Sequence, residues 1–308
     1  MSRLRVVCLF GPTGTGKTAA ALALAEAFRA AVVNVDSRQV YAGLPVLTAQ
    51  PTPEEQARCP HALYGDTPLA VAVAAGDFAK RAWTVVADFS ARGFLPLLVG
   101  GTGLYFRAIC GGLAPIPPVP EAVRTRIRQE WDQLGPQALH ARLSACDPEY
   151  AAKIAAADRQ RVTRALEVYA ATGQSFSAWH RQRDPKAPQY DVLRLGLAMP
   201  LETLTPRLAA RIELMVEQGA VEEVRRALEA VPEDAPGLSG IGGPELVTYL
   251  AGRATLPEAK AAWLAATRAY AKRQLTWFRK EPDVTWFAPD DHAAMVRTVS
   301  DWLAGGAA

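Results

Sequence analysis

The run Gly11-Pro12-Thr13-Gly14-Thr15-Gly16-Lys17-Thr18 concentrates more chemistry than any other stretch of the chain. Glycines at these spacings let successive backbone N–H groups turn inward around an anion, and a helix opening at Lys17 adds its partial positive end. The Lys17 ammonium neutralises phosphate oxygens, and the Thr18 hydroxyl is of the type that completes a Mg²⁺ shell. The pattern fits G-x-x-x-x-G-K-[ST] without a mismatch and lies between a strand-like and a helix-like run, as the motif requires. A phosphate-binding loop of the nucleotide-binding (ATP-binding) class is expected here.

Phosphoryl transfer would ask for an apolar strand ending in a Mg²⁺-binding Asp. The run 94–99 ends instead in Gly100-Gly101-Thr102, whereas Asp36 closes 31–35 and heads Asp36-Ser37-Arg38-Gln39-Val40-Tyr41, a run suited to hydrogen bonding or stacking on a base. A carboxylate beside a bound diphosphate suggests a proton acceptor; holding Mg²⁺ or capping a following helix are the competing roles for Asp36. Arg207 and Arg211 stand four apart on a helix whose apolar stripe includes Leu204, Leu208, Ile212 and Met215. They are expected side by side, either acting together or simply solvated. Arg159, Arg161 and Arg164 form one basic cluster and Lys272, Arg273, Arg279 and Lys280 another. Each is suited to RNA phosphates, although charged helix faces are more often only solvated.

These groups need elements to hold them. The apolar run 5–10 reads as a buried parallel strand, 17–29 as a helix, 31–35 as a second strand, 76–92 as a helix and 94–99 as a third strand. Alternation of this kind implies an α/β fold with a P-loop NTPase-like parallel sheet flanked by helices, in which the strand ends bring Asp36, Thr102 and the P-loop to one crevice. The proline-rich 114–120 reads as a stiff linker into a helical insertion, with breaks at Gly135-Pro136, Asp147-Pro148 and Gly173 and a second joint at 184–188. The chain then returns as a strand over 192–197. Thr205-Pro206 is expected to open the next helix as N-cap and first-turn proline, and a long helix over 258–279 closes the fold with Leu264, Ala271, Leu275 and Phe278 buried. The domains expected are 1–117 (first part of the core), 118–188 (helical insertion) and 189–308 (completion of the core).

Composition sets the outer limits. The 308 residues are 50% hydrophobic and 21% charged, enough apolar material for an α/β core plus an appendage. The apolar start is broken by Gly11 and Pro12 after a few residues, so neither a cleavable signal nor a membrane span is expected, and the location expected is the cytoplasm. Cys8, Cys59, Cys110 and Cys146 lack paired short spacings, which argues against a zinc site or a disulfide framework; reduced, mostly buried thiols are expected. His61, His140, His180 and His292 show no ligand spacing. The formal charge of +3 does not by itself announce a nucleic-acid binder.

The P-loop, Asp36 to Tyr41, Thr48-Ala49-Gln50-Pro51-Thr52, Pro60-His61, Leu97-Leu98-Val99-Gly100-Gly101-Thr102-Gly103-Leu104-Tyr105, Asp158-Arg159-Gln160-Arg161-Val162-Thr163-Arg164 and Lys272-Arg273-Gln274-Leu275-Thr276-Trp277-Phe278-Arg279 occur in the order found in one family. Over nearly its whole length the sequence resembles the bacterial tRNA dimethylallyltransferases, also called tRNA isopentenyltransferases of the IPP transferase family. The resemblance implies that the P-loop holds dimethylallyl diphosphate beside Mg²⁺ and that the acceptor is N6 of adenosine 37 in the tRNA anticodon loop. It implies Asp36, Thr102 and Arg211 as catalytic residues, with Asp36 taking the amine proton, Thr102 positioning and Arg211 on the diphosphate. It further implies Ser37, Arg38, Gln39, Arg124, Gln160, Arg161, Val162, Thr163, Arg164, Lys272, Arg273, Gln274, Trp277 and Arg279 as tRNA contacts, and a monomer with no membrane partner.

The match weakens at Gly243-Pro244, where the family carries an aromatic or aliphatic residue and then Lys or Arg, and at Leu47 and Gln50, where it carries Gly and Lys. The Gly-Gly-Pro run implies a loop stiffer at one end and looser at the other. Two other readings stand behind the prenyltransferase: a P-loop kinase moving phosphate from ATP to a small metabolite, and a non-catalytic RNA adaptor.

Overall fold

The computed structural model describes residues 3–182 and 188–305. Strand β1 (Leu4–Phe10) runs into the glycine loop and helix α1 (Lys17–Ala27), and β2 (Ala30–Asn34) follows directly. Short helices α2 (Pro45–Thr48) and α3 (Pro53–Arg58) lead to the two-residue β3 (His61–Ala62). Helix α4 (Ala75–Ala91), β4 (Leu95–Gly100) and α5 (Gly103–Gly111) complete the first half. Next come α6 (Glu121–Cys146), α7 (Pro148–Ala151), α8 (Arg159–Thr172) and α9 (Phe176–His180). The chain rejoins the sheet at β5 (Tyr190–Leu197) and continues through α10 (Leu201–Glu217) and α11 (Ala220–Ala230). Helices α12 (Gly243–Leu250) and α13 (Leu256–Phe278), strand β6 (Val284–Phe287) and α14 (His292–Gly305) follow.

Two compact units result, one made of residues 1–110 and 188–308, the other of 111–187. In the first, six parallel strands lie in the order β3-β2-β4-β1-β5-β6. Val6, Val7 and Leu9 of β1 are fully buried, as expected for a central strand covered on both faces. Because β4 lies between β2 and β1, the ends of three adjacent strands present Asp36, Thr102 and the glycine loop along one edge.

The second unit has its own core of Ile127, Leu139, Leu143, Val162, Leu166 and Val168, against which Val119 and Ile116 also pack. Residues 114–120 are therefore built into the helical unit rather than standing apart as a linker, and the division falls at Gly111. Gly135, at φ 79° and ψ 174°, kinks α6 just before Pro136, and Gly173 ends α8 in a left-handed turn. The joint expected at 184–188 lies, apart from Pro188, outside the described residues.

Thr205-Pro206 does not open a helix. Helix α10 begins at Leu201 after Pro200, and Pro206 sits inside it. Its missing N–H leaves one early carbonyl without a helical partner, while the Thr205 hydroxyl donates back to Leu201 O at 2.7 Å. The buried stripe of α13 also differs from the expected one: Ala259, Trp263, Thr267, Ala271, Gln274 and Phe278 face inward, with Leu264 and Leu275 half-buried. Two polar residues fit this stripe because their polar atoms are paired, Thr267 to Trp263 O and Gln274 to two backbone groups.

The Gly243-Pro244 segment is ordered at both ends. Gly243 N–H donates to Gly240 O, Glu245 accepts from Gly242 N–H, and Pro244 takes a first-turn position of α12. A Cβ at 243 would lie 2.1 Å from Leu238 O, so this turn admits only glycine there. Among the described residues no helix is long and apolar enough to cross a membrane. The four cysteines are free thiols, Cys8 and Cys59 buried, Cys110 and Cys146 half-buried.

Candidate active site

The cradle is shaped by backbone. Gly14 and Gly16 both adopt φ +82°, and a Cβ on Gly14 would lie 2.7 Å from Leu208 Cδ2, so α10 packs directly onto the loop. Gly16 is the N-cap of α1 and offers no side chain to its first turn, leaving the opening N–H groups available to an anion. The Thr15 hydroxyl is buried and donates to Pro12 O at 2.8 Å, locking the turn. Thr13, Gly14, Gly16, Lys17 and Thr18 line a small cavity of about 110 Å³, whereas Gly11, Pro12 and Thr15 are not among its lining residues.

Lys17 Nζ donates to Gly11 O and Pro12 O at 2.9 and 2.8 Å. Burial, opposed by Asp36 and aided to a smaller degree by Arg211, lowers its pKa to about 8. Arg211 is likewise lowered, by burial first, against a smaller opposing effect of Asp36. Two desolvated cations facing one carboxylate leave unbalanced positive charge at the mouth of a helix, an arrangement that an anion relieves. Arg207, one turn earlier, does not act with Arg211: it is exposed and pairs with Asp290 at 3.8 Å, while Arg211 lines the cavities.

Asp36 is fixed through Asn34, a fully buried polar residue that the sequence reading passed over. Asn34 Oδ1 accepts the Asp36 N–H at 2.8 Å, and Asn34 Nδ2 donates to Asp36 O and Leu63 O at 3.0 and 2.9 Å. Asp36 Oδ1 accepts the Arg38 N–H at 2.9 Å, closing an Asx turn rather than capping a helix. Among the described residues Oδ2 has no hydrogen-bond partner. Thr102 Oγ1 accepts the Ser37 N–H at 3.0 Å and lies 3.3 Å from Ser37 Oγ, so Thr102 orders the peptide beside Asp36 rather than the carboxylate itself. Tyr270 lies beside Thr102 and is pushed up to about 12, by burial first and then by Asp36, which keeps its hydroxyl protonated.

A second cavity of about 380 Å³ opens from the same carboxylate. Asp36, Thr13, Thr48 and Arg211 line both cavities, so the anion cradle and the larger cleft meet at Asp36. The cleft combines an apolar wall of Leu208, Ile212, Met215 and Trp263 with Ser37, Arg38 and Arg273. Arg38 Nη1 donates to Ser239 Oγ at 2.9 Å, tying the cleft's rim to the segment before α12.

The remaining expected RNA contacts divide by exposure. Lys272, Arg273 and Arg279 are exposed, as are Gln160 and Arg161, the last paired with Asp158. Arg164 is half-buried against Glu167, and Arg124 is half-buried, paired through Nη1 with Glu121 and, among the described residues, without a partner for Nε. Val162 lies in the helical unit's core, and Thr163 is buried with its hydroxyl on Arg159 O, so neither side chain faces solvent. Gln39 Nε2 is occupied by Thr48 O and Ala49 O. Gln274 is internal as well: its Oε1 accepts the Thr13 N–H at 3.0 Å and its Nε2 donates to Gly101 O at 2.8 Å, a strut between the P-loop and the end of β4. Trp277 is half-buried under the Arg107 guanidinium, 4.8 Å from its ring.

The family model described as IPP transferase matches residues 39–281, and one described as ATPase family associated with various cellular activities (AAA) matches residues 7–56. The chain is 52% identical over 303 residues to a tRNA dimethylallyltransferase of Nitratidesulfovibrio vulgaris (strain DP4), covering 98% of each chain. It is 50% identical, with the same coverage, to that of Maridesulfovibrio salexigens. Among solved structures, the tRNA isopentenylpyrophosphate transferase of Bacillus halodurans superposes with a TM-score of 0.71 at 34% identity, over 98% of this chain and 96% of that one. A eukaryotic dimethylallyltransferase solved acting on tRNA gives 0.80 at 25% identity, over 98% and 80%.

Proposed function

The chain belongs to the IPP transferase family, and on that premise we propose that it transfers the dimethylallyl group of dimethylallyl diphosphate to N6 of adenosine 37 of tRNA, releasing diphosphate. The observation that carries this reading is the single carboxylate at the junction of the two cavities, with Oδ1 held and Oδ2 free. An adenine amine is a weak nucleophile because its lone pair is delocalised. Asp36 Oδ2 accepts the N6 proton as the carbon–nitrogen bond forms and the allylic carbon–oxygen bond breaks. The charge left on diphosphate is met by Lys17, Arg211 and the N–H groups at the start of α1. Thr102 acts on this step through Ser37, by fixing the backbone on which Asp36 stands. A looped-out base enters the larger cleft, since N6 is unreachable in a stacked loop.

The donor set suits Mg²⁺. The exposed Thr18 hydroxyl beside the cradle provides one protein oxygen, and this ion takes most of its remaining ligands from substrate phosphates and water. When bound, Mg²⁺ supplies further charge neutralisation on the leaving diphosphate. We place the protein in the cytoplasm as a monomer.

A kinase is disfavoured by the same geometry, because Asp36 is the acid at the acceptor's side of the cradle and β4 ends in glycines and Thr102. The test is incubation of the protein with unmodified tRNA, labelled dimethylallyl diphosphate and Mg²⁺, followed by digestion to nucleosides. Label on N6-dimethylallyl adenosine from position 37, lost on chelation of Mg²⁺ and independent of ATP, is the expected result. Label elsewhere, or transfer of phosphate from ATP to a small acceptor, overturns the reading.

A further inference from the structure

Glu223 lies on α11, outside the P-loop and Asp36 machinery, and only 4% of it is exposed. Its two oxygens accept the N–H groups of Val46 and Leu47, each at 2.8 Å. These are the free donors at the start of the four-residue α2, and burial raises the carboxyl above its usual range despite both bonds. The segment so held is the partition of the site. Leu47 and Thr48 line the larger cleft, while Thr48 and Ala49 line the anion cradle.

This partition is conformationally costly. Ala49 sits at φ +53° with a side chain that disfavours the left-handed region by about 1–2 kcal/mol. Gln39 ties the far end through Thr48 O and Ala49 O, and Gln50 Nε2 reaches Tyr41 O at 2.8 Å. Glu223 is the anchor at the near end, from a helix that enters the fold more than 170 residues later.

We propose that Glu223 is a positioning residue for the reaction, its buried carboxylate holding residues 46–49 as the wall shared by the diphosphate cradle and the acceptor cleft. This rests on the prenyl-transfer reading, but part of its test does not. Glu223→Gln keeps the shape and turns one acceptor into a donor that meets a backbone N–H, and Glu223→Asp keeps the charge but is one methylene too short for both bonds. Glu222→Gln, which alters only an exposed pair with Arg225, is the control.

Two measurements are made on each protein: the Kd of inorganic diphosphate with Mg²⁺, and kcat and KM for dimethylallyl diphosphate at saturating tRNA. For Glu223→Gln, Kd and KM are expected to rise about tenfold while kcat falls less than threefold, with Glu223→Asp between it and the wild type. Should Glu223→Gln not fold, Glu223→Asp decides alone. A lowered melting temperature with Kd and KM unchanged overturns the proposal and leaves Glu223 a stability residue. If the wild type transfers no prenyl group, the functional reading fails while the diphosphate Kd still decides the role of Glu223.

Discussion

On the proposed reading, Asp36 and Lys17 divide the chemistry between a free acceptor oxygen and a desolvated cation. The carboxylate keeps one oxygen uncommitted next to two cations. Asp36→Asn should therefore lower kcat by about 10²–10⁴ while leaving the affinity for dimethylallyl diphosphate within about threefold, as single-turnover and equilibrium binding measurements would show. Loss of binding without a loss of rate at saturation would assign Asp36 to the diphosphate instead. Lys17 titrates at about 8 in the free cradle, and a bound anion favours its ammonium form. Binding above pH 8 thus takes up a proton: affinity for dimethylallyl diphosphate stays level below about 8 and weakens by up to tenfold per pH unit above it. Calorimetric titration from pH 7 to 9.5 reads this directly, and Lys17→Arg should flatten the profile.

At the scale of elements, α13 does more than close the core. Its Gln274 bridges the P-loop and the end of β4, so Gln274→Leu strands the Thr13 N–H and the Gly101 carbonyl. A loss of about 1–3 kcal/mol in urea unfolding is expected, with a weaker diphosphate Kd because Thr13 belongs to the cradle. The strand–helix alternation and the P-loop were legible in the sequence because they are set locally, by apolar runs closed with glycine and by one motif at fixed spacing. Gln274 was not: a polar residue in a basic run reads as surface until its partners, 173 and 261 residues away, are known. Pro206 misled for a related reason, since first-turn propensity gave way to a start at Leu201. Strand β6 went unassigned because its four residues become a strand by pairing with β5. Asn34 carried no signal beyond its place next to Asp36, although an amide at the end of an apolar run is a fair sign of a braced strand end.

At the scale of the molecule, the net charge of +3 hides how unevenly cations are presented. Lys272 is exposed, and no ion pair involves it among the described residues. Lys272→Ala should weaken tRNA binding at low salt and reduce the slope of log K against log salt by about 0.7–0.9, measured by filter binding over a salt series. An unchanged slope would remove Lys272 from the RNA-facing surface. Strand order has a consequence for the newborn chain. The first strand made, β1, gains its neighbour β4 once residue 100 exists, but its other edge waits for β5 at residue 190. Translation at ~5–20 residues per second leaves that apolar edge unpaired on the ribosome for on the order of ten seconds while the helical insertion is being synthesised, an interval in which a chaperone, or another nascent copy, has access to it.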